Sequence, residues 1–265
     1  IVAGSRNAQR RAIVVLGVYR SGTSALTRAL NLCGALLPET VHSPQMGLNP
    51  TGFWETEDVT DLDSRLIEQL GGKWNRIDFK LPDEGPVIEE FRDDARAILR
   101  EIYHDAPLIL IKDPRICALA PAWHRALTDH GYLPGYVVSV RHPLEVARSL
   151  RAGGGGTLQA GLSLWRAFMD HVEDFVATVD APVLHMNYEM LLQDWRAVIT
   201  RVARRLDVPL DVVRGAEVDR FLDGTLHNQR ASDEELAREA GPAQAAAILA
   251  QYRRLTARCA ADAAD

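Results

Sequence analysis

Four residues, Val18 to Ser21, separate Gly17 from Gly22, and Thr23 and Ser24 follow the second glycine. This G-x-x-x-x-G spacing is that of a loop that cradles an oxyanion. The glycines let the chain turn tightly, successive N–H groups converge, and a helix starting at Gly22 adds partial positive charge. Arg20 and Ser21 lie inside the loop, the first bringing a full charge, and Thr23 and Ser24 add hydroxyl donors at the helix start. A nucleoside triphosphatase loop carries Lys and then Ser or Thr after its second glycine, the hydroxyl holding Mg²⁺. Thr23 stands in the lysine's place here, which argues against ATP.

Two further charged groups fall where strands should end. Lys112, Asp113 and Arg115 follow the apolar run Pro107–Ile111 in KDPR; Arg141 follows Gly135–Val140, with Ser149 eight residues later. The C-terminal ends of buried parallel strands form the edge where α/β proteins bind ligands. Internal pairing is the alternative for the KDPR cluster. Arg141 and Ser149 can reach one anion across a strand–helix junction, with Pro143 suited to the helix's first turn and Glu145 to its N-terminus. The candidate general bases are, in order, Glu55 in GFWE, Asp113 beside Lys112, and His42. The apolar neighbours of Glu55 would make it a better proton acceptor; a plain helix-entry acid is the competing reading.

These residues need a scaffold, and the pattern supplies one. Ala12–Leu16 is an unbroken β-branched run, as expected of a strand buried on both faces. Further strands are expected at Pro107–Ile111, Gly135–Val140 and Pro182–Met186. Helical patterns run from Gly22 to Leu32, from Val59 to Leu70 with Thr56 as cap, and over Val87–Tyr103, Leu119–His130, Leu158–Val179, Arg196–Leu206, Leu210–Phe221 and Gly241–Ala260. Strands alternating with helices imply a three-layer α/β domain with a mainly parallel central sheet. Gly34–Glu55 is too rich in proline for a helix, and its part Pro38–Glu55, with the segment after Gly153, is expected to form the acceptor pocket. Phe53 and Trp54 within it suit packing, Trp54 also ligand contact. Lys73–Gly85 reads as a surface excursion. Gly153–Gly156, four consecutive glycines, read as a mobile segment or lid hinge, or as a plain connector.

At 265 residues, 47% apolar and 25% charged, the chain suits one globular domain from residue 12 onwards after a frayed lead-in over 1–11. A net charge of −6 gives no support to nucleic-acid binding, so an anion site must be built locally. Three scattered cysteines suggest reduced thiols, and no run approaches a membrane span; a soluble, cytoplasmic protein without membrane partners is expected. No Cys/His cluster has metal-binding spacing.

In chain order, RSGTS after a buried strand, KDP at the end of the second, Arg141 with Ser149 after the third and Tyr188 after the fourth resemble the sulfotransferases that use 3′-phosphoadenosine 5′-phosphosulfate (PAPS). The resemblance covers Ile13 to about Trp195 and implies a P-loop NTPase-like fold. It also implies that Arg20, Ser21, Gly22, Thr23 and Ser24 hold the 5′-phosphosulfate, that Lys112 contacts the transferring group, and that Arg141 and Ser149 hold the 3′-phosphate. Tyr188 would pack on adenine, a buried structural tyrosine being the alternative. The implied reaction moves a sulfuryl group in line, without a metal, to a hydroxyl of a small molecule or glycan, releasing 3′-phosphoadenosine 5′-phosphate (PAP). Pro114 stands where the cytosolic small-molecule enzymes carry a catalytic histidine, and His142 where an acidic or amide residue is common. His227 and Arg230 are candidates for a C-terminal basic loop over the nucleotide. Two rival readings remain, a P-loop-type small-molecule kinase using ATP and a non-catalytic nucleotide-binding relative. A homodimer is compatible with either.

Overall fold

The computed structural model describes residues 9–43, 52–222 and 230–264. Along the chain these form β1 (Arg10–Leu16), α1 (Thr23–Leu32), α2 (Glu57–Gln69), α3 (Pro86–Glu101), β2 (Leu108–Lys112), α4 (Ile116–Asp129), β3 (Tyr132–Val140), α5 (Pro143–Ala152), α6 (Leu158–Thr178) and β4 (Val183–Asn187). There follow α7 (Tyr188–Gln193), α8 (Trp195–Leu206), a 3-10 turn (Val212–Arg214), α9 (Ala216–Phe221), α10 (Asp233–Ala240) and α11 (Pro242–Ala264).

The four strands pair in parallel in the order β2-β1-β3-β4. Period-two alternation sorts β1 between two cores. Ala12, Val14 and Leu16 join the layer containing α2 to α6, α10 and α11, whereas Ile13 and Val15 join the layer containing α1, α7, α8 and α9. Both faces are covered, which is why β1 shows no polar alternation. The chain leaves β1 for β2 on one side and returns to β3 on the other. The C-terminal edge between β1 and β3 is therefore a topological switch point, where ligands of open α/β sheets bind.

Several elements depart from expectation for local reasons. Thr56 takes the N-cap position of α2, but its hydroxyl lies 3.2 Å from that of Tyr103 and caps nothing. Helix α4 starts at Ile116 and carries Pro121 inside. The stretch Leu210–Phe221 is not one helix: it breaks at Gly215, where an added Cβ would overlap the Trp195 ring. Helix α10, entered through a Ser232–Glu235 capping box, was not anticipated. Gly153–Gly156 is not an open connector. Gly155 N donates to Leu150 O (2.8 Å) and Gly154 N to Arg151 O (3.1 Å), with Gly154 at φ 81°, a Schellman motif that ends α5. Among the described residues no helix is long and apolar enough to cross a membrane, and Cys33, Cys117 and Cys259 are buried free thiols.

Candidate active site

The β1–α1 loop is fixed from behind. Gly17 N donates to Cys117 Sγ (3.2 Å), the Ser21 hydroxyl to Val18 O (2.7 Å), and the Ser139 hydroxyl to Ser21 O (2.9 Å). Arg20 sits at φ 67°, a left-handed conformation that costs a non-glycine residue free energy and is found at ligand sites. The N-terminus of α1 has no side-chain cap and no acid in its first turn. Its amides and partial positive charge thus remain available to an anion.

Four of the residues singled out in sequence meet over this loop. Arg20 Nε donates to Ser149 Oγ (3.0 Å), and Arg141 Nη1 donates to the carbonyl of Arg20 (3.1 Å). Arg141 is held from below by Glu145 Oε2 (2.9 Å) and lies over the Tyr188 ring at 4.9 Å. Tyr188 packs so closely on Gly22 that a Cβ there would overlap its ring, and Gly22 has φ 91°, which glycine alone adopts freely. Burial and then the neighbouring Arg141 hold the Arg20 guanidinium below its ordinary pKa. Among the described residues no carboxylate pairs with Arg20. A half-buried and a buried guanidinium group side by side make this a site suited to an anion.

On the other side of the loop, Lys112 leaves the end of β2 and donates to Glu55, to the Phe53 carbonyl (3.1 Å) and to Ser24 Oγ (3.3 Å). Glu55 therefore faces a cation as well as apolar neighbours. Asp113 turns away from this group and is fully buried. It accepts from Arg115 N (3.0 Å) and Arg115 Nε (3.2 Å), the internal pairing weighed for KDPR. His42 points to Thr60 (2.6 Å), not to Lys112. Trp54 packs under Arg28 (4.4 Å) and against Phe221 (6.1 Å), a packing anchor. Thr23 is buried. His227 lies outside the described residues; Arg230 is exposed and its carbonyl accepts from Arg148 (3.1 Å). Among the described residues no group of three or more His, Cys, Asp or Glu side chains is arranged to hold a metal.

Asp63 and Tyr19 were missed. Asp63 is completely buried on α2 and accepts from Trp123 Nε1 (2.7 Å), while its second oxygen, like Oδ2 of Asp113, is buried without a hydrogen-bond partner. Burial and mutual repulsion hold Asp63 well above the usual carboxylate range. A sign was present: Asp63 occupies the apolar stripe of α2 between Val59 and Ile67.

Among solved structures, the chain resembles the sulfotransferase domain of the olefin synthase from Synechococcus PCC 7002. The TM-score is 0.53 at 18% identity, over 96% of this chain and 98% of that one. The fold is that of a sulfotransferase domain. Two other structures align less well. One is the sulfotransferase domain from the curacin biosynthetic pathway (TM-score 0.49, 15% identity, 92% of this chain and 98% of that one). The other is a sulfotransferase from Mycobacterium tuberculosis H37Rv (0.48, 14%, 93% and 77%). No family model matches the sequence, and no curated protein matches it. In this sulfotransferase fold the residues gathered at the switch point stand on the loop after β1 and at the ends of β2, β3 and β4.

Proposed function

We propose that the chain is a PAPS-dependent sulfotransferase acting on a hydroxyl group. The observation that carries this reading is the half-buried Arg20 guanidinium beside Arg141, over a helix N-terminus that no side chain caps. The arrangement fits a nucleotide bearing phosphate at both ends of its ribose. Arg20, Thr23, Ser24 and the loop amides would hold the 5′-phosphosulfate, Arg141 and Ser149 the 3′-phosphate, and Tyr188 the base. The bound donor supplies the sulfuryl group.

The chain's own residues have three tasks in this reading. Arg20 and Lys112 stabilise charge on the sulfonate and on the departing phosphate oxygen, a role that electrostatic preorganisation suits. Ser24 and the Phe53 carbonyl orient the Lys112 ammonium. Glu55 takes the acceptor proton as the new O–S bond forms and the bond to the 5′-phosphate breaks, and PAP leaves. Asp113, buried and already bonded to Arg115, is the poorer choice of base.

Calorimetric titration with PAP and with ATP–Mg²⁺, on wild type and Arg141→Ala, tests the donor. Metal-independent PAP binding, weakened in the variant, is expected. Equal or tighter binding of ATP–Mg²⁺ would return the loop to the kinase class.

A further inference from the structure

A cavity of about 640 Å³ opens beside the loop, between Tyr19, the C-terminal end of α2 and Arg115. Its volume is in the range of small-molecule sites. It is not the pocket expected from Pro38–Glu55 and the segment after Gly153, of which residues 44–51 lie outside the described residues; its lining includes Gly71–Trp74, the turn that follows α2. Tyr19 connects it to the proposed chemistry: this residue directly precedes Arg20, and its hydroxyl is pushed up by burial, then by the charges of Asp113 and Glu55.

The lining divides into an apolar and a polar part. Tyr19 and Trp74 meet edge to face at 5.5 Å, Ile67 lies between them and the helix, and Trp74 keeps 43% of its surface exposed. Of the polar groups at depth, Ser64 and Arg115 are committed, and the buried Tyr19 hydroxyl is without a hydrogen-bond partner. Ser64 Oγ donates to Thr60 O (2.7 Å) and accepts from Arg115, and Arg115 also serves Thr60 O (2.9 Å) and Asp113 (3.2 Å). A single ligand hydroxyl can pair with Tyr19, but the further hydroxyls of a polyol would lose water there without gaining partners, at a cost for each. A ring gains from the aromatic corner and from covering Trp74. Nor is there excess charge to hold an anionic acceptor, since Arg115 faces Asp113, Asp63 and Glu55, and Glu68 lines the cavity along with Lys73.

We infer that this cavity is the acceptor pocket and that it takes a flat, uncharged hydroxyl compound, a phenol or aryl alcohol, rather than a sugar. The assignment rests on the sulfotransferase reading for the word acceptor, and on the lining for the class of compound.

The test is titration of 2-naphthalenemethanol and of methyl β-glucopyranoside into protein saturated with PAP, using wild type, Trp74→Ala and Trp74→Phe. The aryl alcohol should bind wild type and lose about tenfold in affinity in Trp74→Ala, with recovery in Trp74→Phe. The PAP affinity of each variant reports that the nucleotide site is intact. Glucoside binding as tight as that of the aryl alcohol, or indifference to Trp74→Ala, overturns the inference and leaves the sulfotransferase reading standing. Failure of wild type to bind PAP, with Trp74-dependent binding of the aryl alcohol, removes the sulfotransferase reading and the acceptor role while keeping the cavity's preference.

Discussion

Lys112 and Glu55, 57 residues apart in the chain, form an ion pair whose side chains are only 2% and 9% exposed. A pair so far from water is held by mutual compensation, and removing one partner leaves the other charge buried at a cost of about 3 kcal/mol. In the proposed reaction the sulfonate competes for Lys112, and Glu55 is released to accept a proton. Glu55→Gln should therefore lower kcat by about 10²–10⁴-fold, the usual worth of a general base, with PAP affinity little changed. Its thermal midpoint should also fall, so the rate is measured well below that midpoint. An unchanged kcat would assign the proton to another group.

Arg141, like Lys112, has its own carboxylate: Glu145 fixes its orientation at 2.9 Å. If it holds the 3′-phosphate, Arg141→Ala should weaken PAP by about 10–100-fold, a charged hydrogen bond's worth. Adenosine 5′-phosphosulfate, which lacks that phosphate, should be nearly unaffected. Arg141→Lys should recover little, because a point charge cannot serve both Glu145 and the Arg20 carbonyl. Equal losses for the two nucleotides would move Arg141 to the 5′ end.

What could be read from the sequence was what is encoded locally. The RSGTS turn, the strand-end lysine and arginine, and the buried β1 run each depend on residues close in sequence, and each was recognisable. Pairings across long separations were not: Lys112 with Glu55, or Asp63 with Asp113, require knowledge of how α2 lies against β2. Lys73–Gly85 looked like a surface excursion because it is mostly polar, while Trp74 within it closes against Tyr19 of the loop. Gly153–Gly156 looked mobile because glycine permits every conformation, and only the bonds to Leu150 and Arg151 show which one the chain uses.

Gly22 offers a test that separates backbone strain from contact. An alanine there has to adopt φ 91° and also overlap Tyr188. Gly22→Ala should lose about 1–3 kcal/mol of stability and its nucleotide binding. Adding Tyr188→Ala removes the overlap but not the strain, so the double variant should recover part of the stability and little of the binding. Full recovery in a urea titration would mean that the left-handed backbone at Gly22 costs nothing.

Burial of Asp63 and Asp113 gives the fold a pH dependence with a definite sign. Unfolded, both carboxyls titrate near 3.8; folded, burial is the first cause that pushes Asp113 up to about 6 and Asp63 well above its usual range. The groups facing the pair are Arg115 and Glu55, whose charges act on Asp113 in opposite directions, and Trp123, which donates to Asp63. Between these limits the native state binds more protons than the unfolded chain, so stability is fully present below pH 4 and falls as pH rises through 6 and beyond. Asp63→Asn keeps the contact with Trp123, its oxygen accepting from the indole, without a proton to lose. The urea midpoint of wild type should therefore drop between pH 5 and pH 8 while that of Asp63→Asn stays nearly level. Parallel curves for the two proteins would show that the proton resides elsewhere.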